Sequence, residues 1–121
     1  MRGLTAVFIG GVAGALARAG VADALAHDPG QWPWATLLVN VAGAFVLGWV
    51  AARGVQRELI GQGFCGALTT FSTFQLELLQ MLDQDRVPLA LAYAAVSIAL
   101  GLAAAELGRR AVVAELGSPA A

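Results

Sequence analysis

Thr36 and Asn40 lie four residues apart in a stretch, Trp34 to Ala52, that runs 19 residues without a charge. At helical spacing they share one face, and polar groups at membrane depth cost free energy unless they find partners. The Asn40 amide offers two donors and an acceptor, enough to bridge two helices or to line a polar path. Tyr93 and Ser97 repeat the spacing inside a second charge-free stretch, Val87 to Ala105. Taken alone, each of these two reads as a packing residue. A third segment differs: Gly61-Gln62-Gly63-Phe64-Cys65-Gly66-Ala67-Leu68-Thr69-Thr70-Phe71-Ser72-Thr73-Phe74. Its glycines are followed by β-branched and hydroxyl residues that strain or compete with helical backbone, so a broken helix is expected. Carbonyls freed by a break are ligands for a hard cation, and freed N–H groups can equally face an anion. Phe71 and Phe74, at i, i+3, put two rings near one wall with the Ser72 and Thr73 hydroxyls between them. Together these groups supply neutral donors and aromatic edges with no Lys, Arg or His at mid-span. Such a set suits a small, strongly hydrated anion, because conduction needs weak, successive sites and an aromatic rim attracts without trapping.

The elements that must position these residues follow from composition. Of 121 residues, 59% are apolar and 12% charged, where soluble domains average about 25% charged. A spanning helix takes roughly 20 residues, so the chain holds at most about five spans and no large soluble enzyme domain. Charge position marks four apolar blocks, at about residues 4–25, 34–52, 59–82 and 87–105, joined by turns at His27–Gln31, Arg53–Glu58 and Asp83–Arg86. Only helices or closed barrels satisfy the backbone in lipid, and these blocks lack strict alternation. The expected fold is therefore an all-α membrane domain of four transmembrane helices over residues 1–121, with a break in the third. Met1-Arg2 and the following apolar run have the outline of a secretion signal, but glycines and Arg18 interrupt it, and it reads as a retained span. Gly10, Gly14 and Arg18, at i, i+4, i+8, form a smooth stripe on the first helix that ends at the arginine. Gly43, Ala44 and Gly48 make a similar close-approach face on the second.

Several function classes drop out. The seven basic residues are all arginine and form no run able to track a phosphate backbone, so nucleic acid is not an expected partner. Cys65 is the only cysteine and His27 the only histidine. Neither a disulfide framework nor a cysteine zinc site can form, and His27, beside Asp28 and Pro29, reads as a plain loop histidine. No nucleophile and base set marks an enzyme.

Three segments, Gly10 to Arg18, Thr36 to Phe45 and Gly63 to Phe74, resemble in order and spacing the signature segments of the Fluc/CrcB fluoride channels. The Thr69-Thr70-Phe71-Ser72-Thr73-Phe74 string after Gly63-Phe64-Cys65-Gly66 is the most specific. The resemblance implies a passive, fluoride-selective channel exporting fluoride across the cytoplasmic membrane. It also implies an antiparallel, dual-topology dimer with two pores and a structural sodium ion, not transported, at its centre. On this reading Asn40 is the pore amide and Phe71 and Phe74 present ring edges to fluoride. Tyr93 and Ser97 line the pore, Thr36 supports them, and the Ser72 and Thr73 hydroxyls belong to the same pore. The backbone carbonyls of Gly66 and Thr69, with those of the second subunit, hold the sodium. Arg18 matches the arginine closing the family's first segment; Ala19 stands where an aromatic usually follows, a departure in packing.

A small multidrug-exporting antiporter of similar size is the alternative, but it needs a carboxylate embedded in the first helix, which has none before Asp23. Glu77, late in the third block, is expected near an interface. With four spans, one side carries Arg2, Arg53, Arg57, Arg109 and Arg110 and the other only Arg86, which favours both termini in the cytoplasm. An antiparallel homodimer needs both orientations from one chain. A homodimer is the expected form, with a heterodimer of oppositely biased paralogues as the other.

Overall fold

The computed structural model describes residues 2–54 and 56–116; Met1 of the signal-like start, and Val55 and residues 117–121 of the expected domain, lie outside them. Its elements are α1 (Arg2–Ala24), α2 (Trp34–Arg53), a π-helical segment (Arg57–Cys65), α3 (Gly66–Leu68), α4 (Ser72–Asp83) and α5 (Val87–Leu116). No strand occurs among the described residues. Three helices, Gly3–Ala24 of α1, α2 and α5, are long and apolar enough to cross a membrane.

Local chemistry sets these boundaries. α2 starts behind Pro33 and stops where Gly54 turns left-handed, at φ 72°, and gives its N–H to the Val50 carbonyl. Beyond it Arg57 and Glu58, expected in a turn, instead open the π-helical segment. There the Gln56 carbonyl accepts from Ile60 at 2.9 Å and from Gly61 at 3.3 Å, which widens the coil. The glycine stripe of α1 lies directly on this segment. A Cβ at Gly10 would overlap the Leu59 carbonyl oxygen, and one at Gly14 the Phe64 carbonyl oxygen. On the other side Gly48 of α2 lies against the Ala105 carbonyl and Gly108 of α5 against the Phe45 carbonyl. Contact between backbones of this kind supplies packing where lipid removes the hydrophobic drive between helices.

α5 outruns the apolar block that ends near residue 105, because its continuation is rich in good helix formers. Glu106 accepts from Arg109 and Arg110 one turn on. Its 30 residues span about 45 Å, longer than a hydrocarbon core of about 30 Å. Near its end Glu115 pairs with Arg53 of α2 at 2.7 Å, and the Arg53 guanidinium lies 5.1 Å from the Trp49 ring centroid. This exposed pair contributes about 1 kcal/mol at most. The core near the α1–α2 loop joins Leu37, Met81, Ala90 and Tyr93 to Trp32 and Phe74. Leu4, Phe8, Leu91 and Leu102 point outward, as on a lipid-facing surface.

Candidate functional site

Between α3 and α4 three residues, Thr69 to Phe71, leave the helical path; Thr69 is extended, at ψ 156°. Side chains from distant helices take up the backbone groups there. The Asn40 amide pairs with both sides of Thr70: its Oδ1 accepts the Thr70 N–H at 2.8 Å and its Nδ2 donates to the Thr70 carbonyl at 3.1 Å. Arg18 donates from Nε to the Ala67 carbonyl at 3.0 Å, placing a cation at the C-terminal end of α3. The Thr69 hydroxyl donates to the Cys65 carbonyl at 2.9 Å, and Thr70 Oγ1 accepts from the Thr73 N–H at 3.2 Å. Gly43 leaves the space that the Thr69 methyl fills. Replacing Arg18 by Gln removes a charged hydrogen bond to a half-buried carbonyl and is expected to cost about 2 kcal/mol. A lowered thermal midpoint in detergent, with Arg18→Lys falling between wild type and Gln, checks this.

Beside this segment lies a cavity of about 290 Å³ lined by Asn40, Thr69, Thr70, Phe71, Phe74, Ser97 and Ile98. No charged side chain is among them. The Phe71 and Phe74 ring centroids stand 6.1 Å apart with their planes 27° apart. Ser97 Oγ is buried without a hydrogen-bond partner among the described residues, so the wall holds a hydroxyl whose bonding capacity is unspent. Phe71 is 69% exposed, and the cavity opens on the outer face of the single chain. A smaller pocket, about 240 Å³, is lined by Gly66 and Thr69 together with Asn40, Gly43 and Cys65.

Of the residues singled out in the sequence, Asn40, Phe71, Phe74 and Ser97 thus meet at one cavity, and Gly66 and Thr69 share the neighbouring pocket. Ser72 is exposed and Thr73 half-buried; neither lines the cavity. Thr36 and Tyr93 are also absent from its wall, because both hydroxyls go to Glu77. Tyr93 donates to Glu77 Oε1 and Thr36 to Oε2, each at 2.8 Å. Glu77, expected near an interface, is 5% exposed, and His27, expected as a plain loop residue, brings Nε2 to 3.7 Å from Glu77 Oε2. The sequence carried one pointer to this cluster, the i, i+3 spacing of Phe74 and Glu77. Thr70 was also missed as an individual residue although it sits inside the hydroxyl-rich string.

Comparison with known proteins agrees along nearly the whole chain. The family described as "CrcB-like protein, Camphor Resistance (CrcB)" matches residues 5–109. A protein of Mycolicibacterium paratuberculosis named fluoride-specific ion channel FluC 1 is 46% identical over 119 residues, covering 92% of this chain and 90% of the relative. Its namesake in Mycobacterium bovis is 47% identical over 114 residues, 88% of this chain and 86% of the relative. Fluoride-specific ion channel FluC 2 of Symbiobacterium thermophilum is 42% identical over 116 residues, 88% and 94% of the two chains. The match takes in Arg18, Asn40 and the Thr69–Phe74 string as well as the apolar helices of a multi-pass membrane protein, and the chain belongs to the CrcB family.

Proposed function

We propose that this chain is a fluoride-selective channel of the bacterial cell membrane, passive and not an enzyme. The observation that carries this reading is the cavity in which Asn40, Phe71, Phe74 and Ser97 converge without a fixed charge. The names of the relatives, fluoride-specific ion channels, support the choice of ion. A fluoride ion entering there meets the unpartnered Ser97 hydroxyl and the ring edges of Phe71 and Phe74. It also meets the second Asn40 N–H, since the first is given to Thr70. These neutral groups replace water one contact at a time, and none binds tightly enough to hold the ion.

The π-helical segment, α3 and α4 act together as the third of four spans, broken at Thr69 to Phe71. The cavity opens outward in one chain, so a second copy in antiparallel orientation closes it and completes two pores. Gly66 and Thr69 fit a structural sodium ion. The Thr70 N–H that would close the helical bond on the Gly66 carbonyl is turned to Asn40, and the backbone at Gly66 is open, with nothing within 4 Å of an added Cβ. Carbonyl oxygens of Gly66 and Thr69 from both copies would hold the ion, which supplies positive charge at the dimer centre. Glu77 is the one feature that favours the proton-coupled exporter, but both its oxygens are engaged by hydroxyls and it lines neither the cavity at Asn40 nor the pocket at Gly66.

Purified protein in liposomes loaded with fluoride or chloride tests the proposal. Fluoride is expected to leave without any proton gradient, chloride to stay, and fluoride flux to fall when sodium is removed completely. Equal loss of both anions, or loss only under an imposed proton gradient, overturns it.

A further inference from the structure

We propose that His27 is a positioning residue that acts through Glu77 to set how readily an anion passes the cavity, more readily at acidic pH. The inference rests on the channel reading and adds a control to it. Phe74, a wall of the cavity, packs on Tyr93 with ring centroids 5.1 Å apart, and Tyr93 bonds Glu77. Phe74 and Tyr93 therefore stand in series between the cavity and the buried Glu77 side chain, near enough for a charge there to act on an anion in the cavity. Thr36 and Tyr93 each donate to one Glu77 oxygen, and neither brings a positive charge to it.

His27 approaches from the solvent side. Its side chain is 22% exposed against 6% for Glu77, and it lines a pocket of about 400 Å³ with Gln31, Trp32 and Trp34. At 3.7 Å its Nε2 lies beyond a neutral hydrogen bond but within ion-pair reach of Oε2. A protonated imidazole would offset a carboxylate at Glu77; a neutral one leaves that charge acting on the anion across Tyr93 and Phe74. Trp32 packs edge-on against Tyr93 at 5.4 Å and carries a buried indole N–H with no partner among the described residues.

The charged and titratable groups on the elements that meet here are Asp23 of α1, Asp28 of the loop, Glu77 and Asp83 of α4, Tyr93 of α5, and Asp85 and Arg86 of the α4–α5 turn. Of these only Glu77 comes within ion-pair distance of His27, and Arg86 is bonded to the Gly30 carbonyl. Histidine is the side chain whose charge ordinarily changes between about pH 5 and pH 8, which sets the two conditions of the test.

The test uses the full chain, freed of any histidine tag, in liposomes at about pH 5.5 and about pH 8, with efflux from protein-free liposomes subtracted. Wild-type fluoride efflux is expected to be about fivefold faster at the acidic pH, the effect of one nearby charge at an effective dielectric of about 20. His27→Gln should stay slow and His27→Lys fast at both values. In parallel, the infrared difference spectrum between the two pH values should show a carboxylate-stretch change that vanishes in both Glu77→Gln and His27→Gln. A wild-type efflux that does not vary with pH, or that varies equally in His27→Gln, overturns the inference, as does a carboxylate band that ignores His27. Absence of fluoride efflux from wild type at both pH values overturns the channel reading instead, and the infrared band then still reports the coupling of His27 to Glu77.

Discussion

Asn40→Asp is expected to lower fluoride flux at least about 100-fold. The two side chains have nearly the same shape, so packing around α2 is kept and chemistry alone changes. Asp still accepts the Thr70 N–H, but the Nδ2 donor to the Thr70 carbonyl is gone, and a carboxylate oxygen faces that carbonyl instead. Leaving a half-buried carbonyl without its donor costs about 1–3 kcal/mol. A negative charge on the cavity wall repels the anion as well, and about 3 kcal/mol in all corresponds to about two powers of ten in rate. Liposome efflux measures the flux, and the thermal midpoint in detergent separates lost conduction from lost fold. Flux within threefold of wild type would show that the Asn40 donors are dispensable.

Gly14→Val should be more damaging to folding than either Asn40→Asp or Arg18→Gln. A Cβ at Gly14 would meet the Phe64 carbonyl oxygen and come within 3.1 Å of the Leu68 nitrogen, so it strikes main chain that no rotamer can move. Relief requires α1 to back away from the π-helical segment, which also pulls Arg18 from the Ala67 carbonyl. Overpacking of well-packed sites costs about 1–3 kcal/mol, and a clash between backbones lies at the upper end or beyond. Little or no monodisperse protein should survive extraction. Gly20→Ala and Gly101→Ala serve as controls, since an added Cβ there meets nothing within 4 Å. Both should match wild type or gain up to about 1 kcal/mol from helix propensity. Normal size-exclusion profiles for Gly14→Val would refute the close approach.

The two variants touch parts of the molecule that were unequally readable in the linear sequence. Gly10, Gly14 and Arg18 announce a close-approach stripe through their spacing alone, and the first two apolar blocks match α1 and α2 to within a residue or two because the flanking charges delimit them. α5 was harder: apolarity ends near residue 105, yet Ala, Leu, Glu and Arg go on forming helix, since fitness for lipid and fitness for helix are different properties. The hydrogen bonds that replace the ladder at Thr69 to Phe71 were not readable. Asn40 reaches Thr70 across 30 positions and Arg18 reaches Ala67 across 49, and no local pattern ties such pairs together. Thr36 and Tyr93 share donor chemistry with the cavity residues, so residue type alone could not reveal that they turn toward Glu77. That assignment depends on how α4 lies against the α2–α5 pair.

The meeting of the ends of α2 and α5 has a practical consequence for imaging. A 12.4 kDa protein sunk in a detergent belt offers almost no external feature by which single particles can be oriented. Here α5 ends beside α2, where Glu115 pairs with Arg53, so two helices present their ends together. A helical fusion that continues α5 in phase from Leu116 would carry a fiducial mass in line with that helix.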